Sequence, residues 1–362
     1  MHKVAKLAHA LRENGVDAYF ANSPVSMGYL HGFREYSHER FLVLAISATG
    51  AVRLICPSLS ESQARRSGIT DIRSWRDGEH PESLLSELAR DWKLDSAIIA
   101  VDDEMPALTL LQAQATLPAA LFKPGGKVLS QLMEVKSEEE IEIMRRAADI
   151  ADKAYYDVLP KLKPGLTETQ VAKMLEDAMA ARGGGPYFSI VATGPNSAEP
   201  HHLSDDTRLE EGQILLLDFG CDLQGYKSDI TRTLCLGRAS DEMREVYGVV
   251  RQAHNAALQA GRAGMTGADL DSVARQVISD AGYGEFFIHR TGHGIGMRGH
   301  EEPYIVSTNT EPLREGNCFS IEPGIYLPNK FGVRLETIVA ARDGRLDSLN
   351  EAISDDLLEL NL

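Results

Sequence analysis

The chain contains no pair of cysteines in a CxxC spacing; its four cysteines, Cys56, Cys221, Cys235 and Cys318, stand far apart. That excludes a zinc knuckle or a thioredoxin-type motif and leaves reduced, mostly buried thiols of a cytosolic protein as the expectation. No run comes near the roughly 18 apolar residues of a membrane span, so no membrane partner is expected. The opening stretch MHKVAKLAHALRENG lacks the unbroken apolar core of a signal peptide, and the expected location is cytoplasmic. A surplus of positive charge is missing too: 37 Lys and Arg stand against 53 Asp and Glu, a formal net charge of −16. Such a field repels phosphate backbones and argues against nucleic acid as a partner.

What is present is an ordinary globular composition, 43% hydrophobic and 25% charged, in 362 residues. That length suggests two domains of roughly 100 to 250 residues each. Val4, Leu7, Ala8 and Leu11 follow helical spacing, and Gly15 is placed to end that helix. Strand-like apolar runs follow at 18–21, 41–46, 52–56 and 97–101, separated by helical patterns such as 81–92. Residues 1–126 therefore read as a small α/β domain without a catalytic constellation, and Pro124-Gly125-Gly126 opens a linker over 127–136.

The second domain, 137–362, begins at Ser137, which has capping-box spacing to Glu140 and predicts a helix to about Leu162. Thr167 and Gln170 repeat that signal before a helix that Gly183-Gly184-Gly185 should end. The domain also repeats itself. Gly165-Leu166-Thr167 and Gly264-Met265-Thr266 each open an amphipathic helix. Glu211-Gly212 leads into an apolar strand that reaches Asp218, and Glu315-Gly316 into one that reaches Glu322. Both offsets are about 100 residues, although Glu-Gly pairs also recur by chance. Two such halves facing each other would bring four carboxylates to one cleft.

Asp218 follows the buried strand Ile214-Leu215-Leu216-Leu217, where a charge costs several kcal/mol unless paired. Asp229 comes eleven residues later. Taken singly, each could cap a turn or pair with Arg232. The segment 289–296 places His289 and His293 among three glycines, so a helical HExxH face is excluded and a tight loop is expected, open to close approach by a ligand. His300 makes three histidines in a short span, from 11 in the chain; a set of surface histidines is the plainer reading. Glu322 and Glu336 end apolar runs, and buried glutamates need a cation. Four carboxylates and one imidazole form an oxygen-rich set that suits two divalent ions of Mn, Co, Zn or Fe.

Together these segments resemble the pita-bread metallopeptidases: methionine aminopeptidase, aminopeptidase P and prolidase. LDFGCDLQGYKSDITRT, HRTGHGIGMRGHEEP, IEPGIY and GVRLET occur in the family's order, and VSMGYLHGF is similar to the creatinase-like N-terminal domain of the Xaa-Pro branch. The resemblance implies an α/β creatinase-like domain followed by an α+β pita-bread catalytic domain with an internal pseudo-twofold duplication. It implies that Asp218 chelates one metal, that Asp229 and Glu336 bridge both, and that His293 and Glu322 complete the second, with manganese as the foremost candidate. Glu322 would also shuttle a proton between the attacking water and the leaving nitrogen. His201 matches a substrate histidine, His300 the one that contacts the scissile carbonyl, and His289 a further pocket histidine. Arg334 would hold a metal-binding carboxylate. Family members often dimerise, so a homodimer is open.

Two departures bear on specificity. The first histidine motif reads Pro200-His201-His202, so His202 competes with His201 for its role, and Arg298 and Gly299 break the usual pattern before His300. The activity expected is hydrolysis of the bond between an N-terminal residue and proline, as aminopeptidase or dipeptidase, with a peptide carrying proline second as the partner. A broader aminopeptidase that accepts N-terminal Met, or a small-molecule amide hydrolase, is the alternative. A non-enzymatic binding protein is disfavoured by the intact ligand set.

Overall fold

Val4, Leu7, Ala8 and Leu11 are all buried along one face of the helix Lys3–Glu13. The computed structural model describes residues 3–360. They divide into two compact units with the boundary between Met133 and Glu134.

The first unit is built on six strands: β1 Ala18–Ala21, β2 Val43–Ser47, β3 Val52–Pro57, β4 Ile72–Trp75, β5 Ile98–Val101 and β6 Leu121–Pro124. Their order in the sheet is β4-β3-β2-β1-β5-β6. β1, β2 and β3 pair antiparallel, and the outer strands add in parallel. β1 is buried along its whole length, so it reads as a continuous apolar run. The stretch 127–136, expected as a linker, is mostly helical: Gly126–Met133 is a helix that buries Leu129 and Met133. Pro124-Gly125-Gly126 is the strand end and entry to that helix; the Gly125 N–H donates to the Val101 carbonyl oxygen at 2.7 Å.

The second unit has two sheets that repeat one plan. In the first half, the helices Glu138–Val158 and Glu168–Ala181 precede β7 Gly185–Thr193, β8 Ile214–Leu223, β9 Tyr226–Lys227 and β10 Ile230–Leu236. In the second, the helices Asp241–Ala260 and Gly267–Asp280 precede β11 Gly292–Gly294, β12 Glu301–Ile305 and β13 Cys318–Ile321. The hairpin β14 Gly324–Leu327 and β15 Phe331–Arg334 follows, then β16 Thr337–Arg342 and β17 Arg345–Ser348. β18 Leu358–Leu360 returns to the first sheet, ordered β18-β10-β8-β7; the second is ordered β12-β11-β13-β16-β17. The antiparallel series β7-β8-β10 thus has its counterpart in β11-β13-β16.

The duplication reaches single hydrogen bonds. Thr167 and Thr266 both cap their helices through capping boxes, with Gln170 and Asp269 as the reciprocal partners. Gly165 and Gly264, at φ +87° and +90°, turn the chain into those helices in the left-handed region that suits glycine. Gly165 donates to Leu209 O and Gly264 to Leu313 O, each at 2.8 Å. Each half has its own hydrophobic cluster, one around Val171, Leu175, Leu217 and Ile230, the other around Val250, Leu270, Phe319 and Val339.

A second expectation is corrected. His293 lies on strand β11, not on a tight loop. The glycines around it serve a different need. A Cβ on Gly292 would overlap the Ser320 carbonyl oxygen, and one on Gly294 the Glu302 carbonyl oxygen. β11 is squeezed between β12 and β13, and only glycine permits that approach. Gly292→Ala should therefore destabilise the protein by about 2–3 kcal/mol, because the obstacle is backbone and cannot rotate away. Urea unfolding of the two proteins measures it; a loss under about 0.5 kcal/mol, the range of a neutral surface change, contradicts the packing account.

Candidate metal centre

The four carboxylates enter from matched positions in the two halves. Asp218 lies on β8 and Glu322 directly follows its counterpart β13; Asp229 directly precedes β10 and Glu336 directly precedes β16. His293 joins them from β11. These five, with His201, His289, His300 and Arg334, line one cavity of about 530 Å³, whose wall also includes Tyr187, Phe188, Ile190, Pro200 and Arg290.

His293 Nε2 stands 3.3 Å from Glu322 Oε1 and 3.8 Å from Asp229 Oδ2. Its Nδ1 is 3.1 Å from the Gly294 carbonyl oxygen. A carbonyl can only accept, so Nδ1 carries the proton and the Nε2 lone pair faces two carboxylates. Those groups repel one another unless a cation lies among them. Oδ1 of Asp218, Oδ1 of Asp229 and Oε1 of Glu336 are buried with no hydrogen-bond partner. Asp229, His293 and Glu336 each bring one ligand atom within 4.8 Å of the others. Orphaned oxygens and an imidazole lone pair aimed at one space fit divalent metal, and the oxygen-rich set is that of a hard or borderline cation.

Burial raises the Asp229 and Glu336 carboxyls well above the carboxylate range, and neighbouring carboxylates push the same way. Burial likewise pushes Glu322 up to about 7, against the opposing pull of Arg334. Burial lowers His293 to about 3, with His300 acting in the same direction. Neutral donors hold the carboxylates in place: Thr231 Oγ1 donates to Glu336 at 2.7 Å, and Ser320 Oγ to Glu322 at 3.0 Å. Arg334 Nη2 donates to Asp218 Oδ2 at 2.5 Å.

The histidines separate by role. His289 Nδ1 is 2.7 Å from the Arg290 carbonyl oxygen, and its Nε2 is 2.8 Å from the Tyr326 hydroxyl. Tyr326 accepts from Arg334 Nη1 at 2.8 Å and so donates to His289, which burial lowers to about 4 and keeps neutral. His300 Nδ1 lies 3.1 Å from Arg290 Nη2. A guanidinium only donates, so Nδ1 accepts and Nε2 carries the proton. His201 lines the cavity, whereas His202 is buried away from it with Nε2 2.6 Å from Glu168 Oε2. Glu168, His202 and Asp205 form a second group with metal-like spacing. Both Glu168 oxygens are already filled, by Thr193 N, Asn196 Nδ2, His202 and Asp205 N. Tyr326, Thr231 and Ser320 were not singled out from sequence. Each lies in or beside a motif, but their contacts join distant strands that no local pattern announces.

The comparisons with known proteins agree with this geometry. Residues 142–343 match Metallopeptidase family M24, and residues 3–135 match the Creatinase/Prolidase N-terminal domain. A curated relative, the Xaa-Pro dipeptidase of Lactobacillus delbrueckii subsp. lactis, is 37% identical over 94% of both chains. The crystal structure of a recombinant prolidase from Thermococcus sibiricus superposes with a TM-score of 0.95 at 34% identity, covering 99% of this chain and 98% of that one. The X-Pro aminopeptidase of Thermotoga maritima superposes with a TM-score of 0.87 at 34% identity, covering 99% of each. The chain belongs to metallopeptidase family M24 and is a metallopeptidase with the pita-bread fold. Among the described residues no helix is long and apolar enough to cross a membrane.

The protonation pattern sets how the metal-free protein responds to pH. Glu322, raised from 4.5 to about 7, contributes stability that is full below 4.5 and lost as pH rises through 7; Asp229 and Glu336 shift in the same direction. His293 and His289, lowered from 6.5, contribute stability present above 6.5 and lost as pH falls. Above pH 6.5, then, only the carboxylates of this group still titrate. The melting temperature of chelator-treated protein should fall between pH 6.5 and 8, and divalent metal at 100 times its Kd should restore about 2.7 kcal/mol. Differential scanning calorimetry reads both, and a metal-free melting temperature that climbs across this window contradicts the assignment. Asp229→Asn removes one of the crowded carboxyls, so it should flatten the fall of the metal-free melting temperature with pH and blunt the response to metal.

Proposed function

We propose that this protein is an Xaa-Pro dipeptidase that holds two divalent ions, manganese foremost, on Asp218, Asp229, His293, Glu322 and Glu336. The observation that carries the reading is the joint placement of all five side chains, with His201, His289 and His300, around one cavity. Divalent metal held there supplies Lewis acidity and a nucleophilic water near neutral pH.

The chain's own groups do the rest. Glu322 hangs from Ser320 Oγ at the cavity wall, and its raised carboxyl suits proton transfer near neutral pH. It takes a proton from the attacking water and returns it to the leaving nitrogen. Any amide nitrogen must gain a proton as its C–N bond breaks, and for proline that proton makes the secondary amine of the product. His300, held by Arg290 with its Nε2–H free to donate, binds the oxygen of the scissile carbonyl as charge develops there. His289, fixed by Tyr326, walls the pocket as a neutral ring. Arg334 fixes Asp218 through its guanidinium.

A dipeptide presents a free carboxylate next to the scissile bond. Arg290 lines the cavity, stacks on Tyr304 at 4.4 Å and donates from Nη2 to His300, and among the described residues no ion pair joins it to a carboxylate. That supports a dipeptide over a longer peptide, as does the name of the Lactobacillus relative. The Thermotoga neighbour, named an X-Pro aminopeptidase, supports the second reading, cleavage of longer Xaa-Pro peptides. A substrate panel separates them. With Mn²⁺, Co²⁺ or Zn²⁺ added to metal-free enzyme, Xaa-Pro dipeptides should be cleaved at least about tenfold faster in kcat/KM than Xaa-Pro-Yaa tripeptides, the effect of about 1.4 kcal/mol of transition-state binding. Equal rates on both favour the aminopeptidase, and cleavage of Met-Xaa but no Xaa-Pro peptide rules out both.

A further inference from the structure

We infer that Glu168 and His202 form a clamp that positions His201 in the cavity, so that His202, which departs from the substrate-facing role, acts through its neighbour. The inference rests on the peptidase reading above, in which His201 meets the substrate.

Glu199-Pro200-His201-His202 is a turn, closed by the His202 N–H on the Glu199 carbonyl oxygen at 3.1 Å. Proline at its second position fixes φ and favours that turn. Pro200 and His201 face the cavity. His202, the last residue of the turn, is 8% exposed and donates from Nε2 to Glu168 Oε2 at 2.6 Å. His201 thus sits on a short arc whose far end is tied to a carboxylate.

Glu168 is fully buried, 0% exposed, at the start of the helix Glu168–Ala181. Its oxygens take four donors: Thr193 N at 2.8 Å, Asn196 Nδ2 at 3.0 Å, His202 Nε2, and Asp205 N at 3.1 Å. These partners run from Thr193 at the end of β7 to Asp205, three residues past the turn, so one buried carboxylate grips both ends of the segment that carries His201. A carboxylate offers about four acceptor sites, and all four are used.

The internal duplication supplies a control. Thr167 and Thr266 are equivalent caps, so the counterpart of Glu168 is Gly267. A Cβ there would collide with Tyr304 O and Asn309, and Asn309 donates to Tyr304 O at 2.7 Å instead. The repeated scaffold does not require a buried carboxylate at this point. At this first helical position it occurs only in the half that carries the histidine turn; the other half uses Asp271, four residues further on, to hold Thr291.

The test uses holoenzyme, Xaa-Pro dipeptide and a double-mutant cycle. His202→Phe keeps an aromatic ring but takes away one of the two donors to Glu168 Oε2 and leaves only Asp205 N there; it should lower kcat about tenfold or more, since small misplacements at an active site carry such factors. His202→Gln, which can still donate, should recover to within about threefold of wild type. In a His201→Ala background, His202→Phe should change kcat by less than about twofold, because the group it positions is gone. Metal content should match wild type in each variant, while the melting temperature should fall in His202→Phe, which strips a donor from a buried carboxylate, and recover in His202→Gln; kcat is read well below either melting temperature. Unchanged kcat in His202→Phe overturns the clamp, and so does the same fold-loss with and without His201, or a loss that tracks metal content. If wild-type holoenzyme cleaves no Xaa-Pro peptide, the peptidase reading fails separately. The clamp is then read on the ring signals of ¹⁵N-histidine-labelled, zinc-loaded protein. The His201 resonance, assigned by its loss in His201→Ala, should move or broaden in His202→Phe; an unmoved signal overturns it.

Discussion

Four carboxylates gathered in one buried cavity repel one another, and everything around them answers to that repulsion. Among the described residues Arg334 is the one arginine or lysine paired with any of them, through Asp218. Unpaired buried charge is costly, and removing a partner from such a group costs more than the pair contributes. A chain that places these groups together must fix them by stiff backbone and must leave room for a cation. Both conditions are met: each carboxylate lies on, directly before or directly after a strand, and one oxygen each of Asp218, Asp229 and Glu336 is left without a protein donor.

The constraint extends outward from the cavity. Glu336 is gripped in front by Thr231 Oγ1 and behind by Arg232, whose Nη1 donates to the Glu336 carbonyl oxygen at 2.7 Å. Arg232 is itself held by Asp152 on the helix Glu138–Val158, at 3.3 Å, and by the Glu351 carbonyl oxygen at 3.1 Å. Burial raises the Asp152 carboxyl to about 6 even with Arg232 beside it. Arg232, which could have paired with Asp218 or Asp229, instead spends its guanidinium as a fixed fork on Asp152 and backbone carbonyls. Lys136 and Glu301 make a comparable buried pair at 2.5 Å, one residue from His300. Such pairs contribute little net stability, but they hold a loop or strand in one register.

Much of this plan was legible because it is periodic or repeated. Helical spacing located the helix Lys3–Glu13, capping boxes located Ser137 and Thr167, and the Glu-Gly pairs located the two halves. Strand β4, Ile72–Trp75, was not found, because its Arg73 and Ser74 interrupt the apolar run at the edge of the sheet. The helix Gly126–Met133 was hidden by the Pro-Gly-Gly that precedes it. The glycines flanking His293 signalled close approach, and local sequence could not tell a loop from a strand wedged between two others. Which of His201 and His202 faces the cavity depends on Glu168, 34 positions from His202, and no pattern in Pro200-His201-His202 carries that information.

The arrangement also divides the acid–base work. His289 and His293 spend Nδ1–H on backbone carbonyls, and His300 spends its Nδ1 lone pair on Arg290. Burial lowers the pKa of all three, so each is a neutral ring with one tautomer fixed by its neighbour. His293 is left with a lone pair to give, and His300 with a proton to share by hydrogen bond. None of them is poised to take a proton at neutral pH. Glu322 is the exception: its carboxyl is raised to about 7, and Ser320 and His293 stand beside its Oε1. In the proposed reaction, proton transfer to the leaving amine is therefore assigned to this carboxylate, because hydrogen bonds already commit these three histidines to holding and polarising.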